Sequence, residues 1–255
     1  MQNTPDYFDR YSTLHLSRSP SGVLTLQFHT NGGAAAFSGP MQIEFPQALY
    51  EIGEDRNNRV LILTGTGDRF MTDIDRTSLG DLTKPAVWDE IFSRGRITMQ
   101  RLVDLEMPII TAANGPASIH SEWVMMGDIA IVSDTTVFSD YSHPKFGTVP
   151  GDGVALIWEE VLGLNRARHL TLTGGSFTAQ EAKEWGVVAE VVPLDQVLPR
   201  AQAIAESLSK KPQMLTRFMS VTLRQRLSRR VAEGVQLGMA LEGLAASDKA
   251  YQSTH

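Results

Sequence analysis

Pro108-Ile-Ile-Thr-Ala-Ala-Asn-Gly115 leads through Ser121-Glu122 to Met125-Met-Gly-Asp128. The apolar run over 108–113 has the length of a buried strand, and Asn114-Gly115-Pro116 ends it. A short helix and a strand over 128–133 follow. Upstream, Val60–Thr64 is a second apolar run, closed by the Gly65-Thr66-Gly67 loop. Two helical patterns flank it: 41–57, with Met41, Phe45, Leu49 and Ile52 on one face, and 88–105, with Trp88, Phe92 and Leu102 inward. Residues 14–29 read as a hairpin, because Leu24, Leu26 and Phe28 alternate with polar neighbours after a Ser-Pro-Ser-Gly turn.

Downstream, Thr178 and Glu181 form a capping box for a helix over 178–186, and Gly186 stands at its C′ position. A strand over 187–192 follows. Strand, strand, helix recurs at roughly fifty-residue intervals, with no repeat in the letters themselves. From 195 to 247 the pattern is helical, with Val197, Ala201, Ile204, Ala205 and Leu208 as one face and a break at Lys211-Pro212. The expectation is an α/β chain with a core over 1–194 that holds the site. A C-terminal helical region over 195–255 packs on that core or on a neighbouring subunit.

Composition narrows the function. The chain has 255 residues, 42% apolar, enough for a large core. A net charge of −6 argues against nucleic acid as a partner. The run Arg224, Arg226, Arg229, Arg230 reads as a solvated or subunit-facing helix surface. The absence of cysteine removes disulfides, thiol nucleophiles and Cys-ligated zinc. The first six residues lack a leader pattern, and no apolar stretch approaches the ~20 residues of a membrane span. A cytoplasmic protein with no membrane partner is the expectation.

Further motifs stand in order: Gly65-Thr-Gly-Asp-Arg-Phe70 before Asp73-Ile74-Asp75, Gly147-Thr-Val-Pro-Gly-Asp-Gly153, and Leu172-Thr-Gly174 before the capped helix. Over about residues 14 to 248 the series resembles the crotonase superfamily, the enoyl-CoA hydratases and isomerases. That resemblance implies a crotonase-like spiral of repeated ββα turns, homotrimers or dimers of trimers, and an oxyanion hole of two backbone N–H groups. One of these falls on Ile74. The glycine-rich run that supplies the other is Ser118-Ile119-His120 here, so the second donor stays open, with the His120 side chain as a candidate.

Three departures narrow the resemblance. Met71-Thr72-Asp73-Ile74 replaces a small, glycine-containing segment of CoA-binding members, and Asp73 is a poor neighbour for a polyphosphate. Asn31-Gly-Gly-Ala-Ala-Ala-Phe37 replaces the usual Asn-Ala-Leu stretch. His143 stands where hydratases keep a glutamate, and Asp152 lies within Pro-Gly-Asp-Gly. With His120 and Glu242, this pair is similar to the CoA-independent β-diketone hydrolases, 6-oxocamphor hydrolase among them. By that likeness an active-site histidine falls on Gln42 and a tryptophan on Phe37.

The implied chemistry is C–C hydrolysis of a small cyclic or bicyclic β-diketone, with no metal or organic cofactor. A histidine near pKa ~6.5 suits proton abstraction from water, and a carboxylate would fix its tautomer. His143 is the expected base, oriented by Asp152 if the Gly/Pro-rich loop folds back. His120 and Ile74 are expected to hold the oxyanion. Glu242 is open between binding water, orienting His120 and handling a proton. Glu122 is open between a catalytic acid and a helix-start carboxylate. Bland readings compete: Asp152 as an N-cap near Val154, His143 as an exposed loop residue, His120 as a core histidine, Glu242 as a surface acid. His29 and His169 read as structural, and Met99, Met125, Met126 and Met239 as core filler. The rival functions are an acyl-CoA hydratase, isomerase or hydrolase, and a catalytically silent subunit.

Overall fold

The computed structural model describes residues 5–248; the leader reading at Met1–Thr4 and the unassigned His255 lie outside them. β1 (Leu14–Arg18) and β2 (Val23–Phe28) form the expected antiparallel hairpin. β3 (Ala36–Phe37), α1 (Gly39–Glu54), β4 (Val60–Thr64), β5 (Asp73–Ile74) and the short α2 (Arg76–Leu79) follow. α3 (Pro85–Asp104), β6 (Ile109–Ala113), α4 (Ser121–Met125), β7 (Ile129–Ser133), β8 (Val137–Ser139) and α5 (Ser142–Phe146) complete the middle of the chain. Then come α6 (Val154–Leu162), α7 (Leu164–Thr173), β9 (Ser176–Thr178), α8 (Ala179–Glu184), β10 (Glu190–Val192), α9 (Leu194–Ser209) and α10 (Gln213–Ala246).

The main sheet runs β1-β2-β4-β6-β7-β10 and is parallel from β2 onward. Its central strands are buried on both faces, which is why they read as unbroken apolar runs. Leu61 and Leu63 face the larger core, while Val60, Ile62, Ile110 and Ala112 face Val197, Ala201 and Ala205 of α9. The small strands make a second strip: β3 pairs with β5 and β8 with β9, joined by bridges from Met71 to Ala117 and from Ala117 to Phe138. This is the crotonase-like α/β arrangement with a helix-rich C-terminal region. Among the described residues no helix is long and apolar enough to cross a membrane.

The helix near the N-terminus begins earlier than the apolar pattern suggests, because Ser38 caps it by accepting from the Met41 N–H. The helix expected from 88 begins at Pro85, whose missing N–H costs nothing in a first turn. The strand expected from 187 begins only at Glu190: the N–H groups of Val187 and Val188 turn back to the Ala182 carbonyl at the end of the capped α8. Arg224 corrects the reading of the arginine run. Arg226 and Arg229 are exposed and Arg230 is half-buried, but Arg224 is buried. Its Nε lies 3.2 Å from Asp128 Oδ1, and it donates to the carbonyls of Leu102 in the last turn of α3 and of Leu105 and Met107 just past it. Only one face of α10 is solvated, so a run of basic residues wraps from outside to inside.

Arg224→Leu should therefore lower stability by about 3–5 kcal/mol, because Asp128 would be left buried without its cation. The denaturant midpoint measures this at constant slope. Adding Asp128→Asn should recover part of the loss; a cost below about 1 kcal/mol for the single variant would contradict the assignment.

Candidate active site

The site forms where the loop after α5 folds back against α10. α5 ends at Gly147 in the left-handed conformation, and the chain returns through Thr148–Gly153. A Cβ on Gly238 would meet the Gly151 carbonyl oxygen at 2.5 Å, and one on Gly151 would collide with the Gly238 carbonyl. Only two glycines permit this backbone approach. Asp152 follows directly, and Glu242 is one helical turn beyond Gly238.

Asp152 performs two tasks. Oδ1 accepts weakly from the Val154 N–H at the start of α6, as in the N-cap reading. Oδ2 lies 3.6 Å from His143 Nε2 and 3.6 Å from His120 Nδ1. Glu242 Oε1 is 3.3 Å from His143 Nε2. The orienting carboxylate of His143 differs from the expectation: it is Asp140, whose Oδ1 accepts from His143 Nδ1 at 2.6 Å. Asp152 faces the other ring nitrogen. The missed signal was local, since an aspartate three residues before a histidine in the first turn of a helix reaches back to it. His143 itself is buried in α5, not exposed in a loop.

His120 has its own partner. It sits at φ 50° and ψ 43° just before α4, and Nδ1 donates to Glu122 Oε1 at 2.8 Å. Its ring stacks on Trp123 at 4.1 Å and meets Phe37 edge-on at 4.2 Å between centroids. Glu122 is fully buried behind it. Ile74, Phe37 and Gln42 line the same cavity as His120, His143, Asp152 and Glu242. The Asp75 N–H donates to the Phe37 carbonyl, so alternation along a parallel ladder turns the Ile74 N–H away from β3. Met41, Phe45, Trp88, Met99 and Met239 make much of the cavity wall apolar. Met99 and Met239 thus do more than fill the core. His29 accepts from the Gly32 N–H, and His169 is exposed; neither enters the cavity.

Electrostatics divides the two histidines from ordinary ones. Burial pushes the His143 pKa down, but Asp152, the Asp140 hydrogen bond and Glu242 outweigh it and hold it well above 6.5. Burial likewise opposes the charge on His120, and Glu122 with Asp152 reverses the effect, so its pKa is raised. Burial raises Glu122, and it raises Glu242 to about 7 despite His143 beside it. One oxygen each of Glu122, Asp140 and Glu242 is buried with no partner among the described residues. Glu122 with His120, and Glu242 with His143, therefore share protons as pairs.

Two groups, His120/Glu122/Asp152 and His143/Asp152/Glu242, bring possible metal-ligating atoms within 4.8 Å of one another. A metal needs neutral imidazole, and the raised histidine pKa values work against that.

Residues 18–252 match the family model described as enoyl-CoA hydratase/isomerase. A 1,2-epoxyphenylacetyl-CoA isomerase of Escherichia coli (strain K12) is 31% identical over 77% of this chain and 76% of its own length. A probable peroxisomal enoyl-CoA hydratase of Arabidopsis thaliana is 29% identical over 82% of this chain and 77% of its own. Among solved structures, a beta-diketone hydrolase from the cyanobacterium Anabaena sp. PCC 7120, bound to (S)-3-oxocyclohexyl acetic acid, is 46% identical with a TM-score of 0.95, covering 96% of this chain and 98% of that one. The fold, the ordered motifs and a match over nearly the whole length agree: this chain belongs to the enoyl-CoA hydratase/isomerase, or crotonase, family.

Proposed function

We propose that this protein hydrolyses a C–C bond of a small cyclic or bicyclic β-diketone, without CoA, to give a keto acid. The observation that carries the reading is the pair of histidine–carboxylate couples, His143–Asp140 and His120–Glu122, facing one largely apolar cavity across Asp152. Hydratase chemistry has no evident need of two such couples. The likeness to a beta-diketone hydrolase holding a keto acid adds support.

In the mechanism we propose, His143 in its neutral form takes a proton from water at Nε2. The oxygen bonds to one ketone carbon, and the carbonyl electron pair moves onto oxygen. His120, whose charged form Glu122 and Asp152 favour, and the Ile74 N–H stabilise that oxyanion. The oxyanion then reforms a carbonyl as the C–C bond breaks, and the electron pair delocalises into the second ketone as an enolate. The proton on His143 returns to carbon, leaving a ketone and a carboxylic acid that ionises. Glu242 and Asp152 keep His143 supplied with a charge partner while it is protonated. Phe37 and Gln42 contribute to the substrate wall. The names of the curated relatives favour a second reading, an acyl-CoA substrate.

For assembly we propose homotrimers or pairs of trimers, with the region 195–255 as the contact. The outer side of α10 supports this, since Met214, Phe218 and Leu223 are exposed there.

Incubating the purified chain without CoA with cyclic and bicyclic β-diketones should yield a keto acid one water heavier than its diketone. His143→Ala should lower kcat by about 100- to 10,000-fold with the fold intact. Turnover of a crotonyl-type thioester alone, with every diketone unchanged, would replace this reading by the acyl-CoA one. Asp140→Asn should cost about 100-fold or more in kcat with little change in KM, because an amide fixes the imidazole poorly. Near wild-type turnover would remove Asp140 from the mechanism.

The pH dependence has a definite sign. The base works deprotonated, and its pKa is raised, so kcat/KM should climb with pH along a limb above 6.5. Asp152→Asn removes the largest raising influence and should move that limb to lower pH. A wild-type limb at or below pH 6.5 would contradict the electrostatic account.

A further inference from the structure

Arg76 opens α2 two residues beyond Ile74 and lines the same cavity. It is half-buried, and its guanidinium carbon lies 3.9 Å from the centroid of the Phe146 ring. Phe146 closes α5, three residues after His143. Among the described residues no carboxylate pairs with Arg76, and burial lowers its pKa. The other ionisable groups of the cavity wall, His120, His143, Asp152 and Glu242, are all engaged with one another. Arg76 is therefore the uncommitted cation of this wall. Lys145 brings a second positive charge to the neighbourhood, with Nζ 5.5 Å from the same ring centroid.

The stacking geometry matters. A guanidinium lying on an aromatic face keeps its N–H donors in its own plane, so the fork remains free to grip a carboxylate. Holding such a group half-buried without a counter-ion is costly unless a ligand supplies one.

We infer that Arg76 binds the carboxylate of a small keto acid held in this cavity, while the apolar wall takes the carbon ring. The inference rests on the hydrolysis proposed above, because that reaction leaves a carboxylate in an otherwise largely apolar space. It gives the cavity a means to tell product from substrate: the diketone is neutral and owes Arg76 nothing, whereas the acid is retained. Arg76 is thus a binding residue for the anion, and the bond-breaking steps do not pass through it.

Calorimetric titration of the full chain with 3-oxocyclohexyl acetic acid and with its neutral methyl ester tests this. The wild type should bind the acid about 10- to 100-fold more tightly than the ester. Arg76→Met should erase that preference with the ester's affinity unchanged, and Arg76→Lys should keep part of it. Added salt should weaken the acid and spare the ester. The inference is overturned if Arg76→Met leaves the acid's affinity unaltered, if acid and ester weaken together as for lost packing on Phe146, if the wild type binds neither, or if the variant's loss appears only with 3′-phosphoadenosine diphosphate as the ligand. Turnover separates the two proposals. A wild type that binds the acid through Arg76 yet hydrolyses no diketone sinks the hydrolysis alone, whereas diketone turnover with Arg76-independent binding sinks this inference alone.

Discussion

The backbone contact between Gly151 and Gly238 holds the site together. It brings a loop from the α/β core against a helix that begins more than sixty residues later, at Gln213. Because the two segments touch without side chains between them, Asp152 and Glu242 both reach His143 Nε2, at 3.6 and 3.3 Å. Other glycines serve the same crossing: a Cβ on Gly95 would meet the Met239 sulfur, and one on Gly243 would collide with the Trp88 indole. The Trp88 Nε1 donates to the Met239 carbonyl at 3.0 Å, pinning α3 to α10 beside the cavity. The C-terminal region is in this sense part of the site, whatever else it contacts.

Such a cluster would be unstable as a set of independent charges. Glu122 and Glu242 are buried, and desolvation alone would push their protons back on. Two imidazoles among them change the balance, because each can carry the proton that a neighbouring carboxylate gives up. The result is a network that is never far from neutral as a whole, while any member can change its charge at modest cost. An apolar wall strengthens each of these interactions and leaves an entering carbonyl no water to hide behind.

Much of this was legible in the residues. The strands at 60–64 and 109–113 and the capping box of Thr178 and Glu181 follow patterns that sequence carries directly, whereas the meeting of His120, His143, Asp152 and Glu242 at one cavity was expected only from the family resemblance. What escaped was long-range or positional. Asp140 looks like any helix-start acid until the α5 geometry aims it at His143 Nδ1. Arg224 looks like its exposed neighbours until the crossing of α3 and α10 buries it over the carbonyls of Leu102 and Met107. Arg76 carries no periodic signal, and its significance lies in what does not pair with it. Periodicity reports which face is buried, but it does not report which buried polar group finds which partner.

The proposed mechanism gives the two histidines of one cavity opposite roles, and their surroundings suit that division. Both have a carboxylate on Nδ1, at 2.8 and 2.6 Å, and both have raised pKa values. Their surroundings differ. His120 lies between Trp123 and Phe37, rings that restrict its orientation while its charge is stabilised by Glu122 behind it. An imidazole fixed in this way, with its charged form favoured, suits an oxyanion. His143 has carboxylates on both ring nitrogens, so the proton on Nε2 has somewhere to be held and somewhere to go. A group that can gain and lose a proton without losing its partners suits a base. Asp152 stands between the two, and moving a proton onto either imidazole raises the cost of charging the other. In the mechanism proposed above, water activation at His143 and oxyanion stabilisation at His120 would thereby be coupled through a single carboxylate.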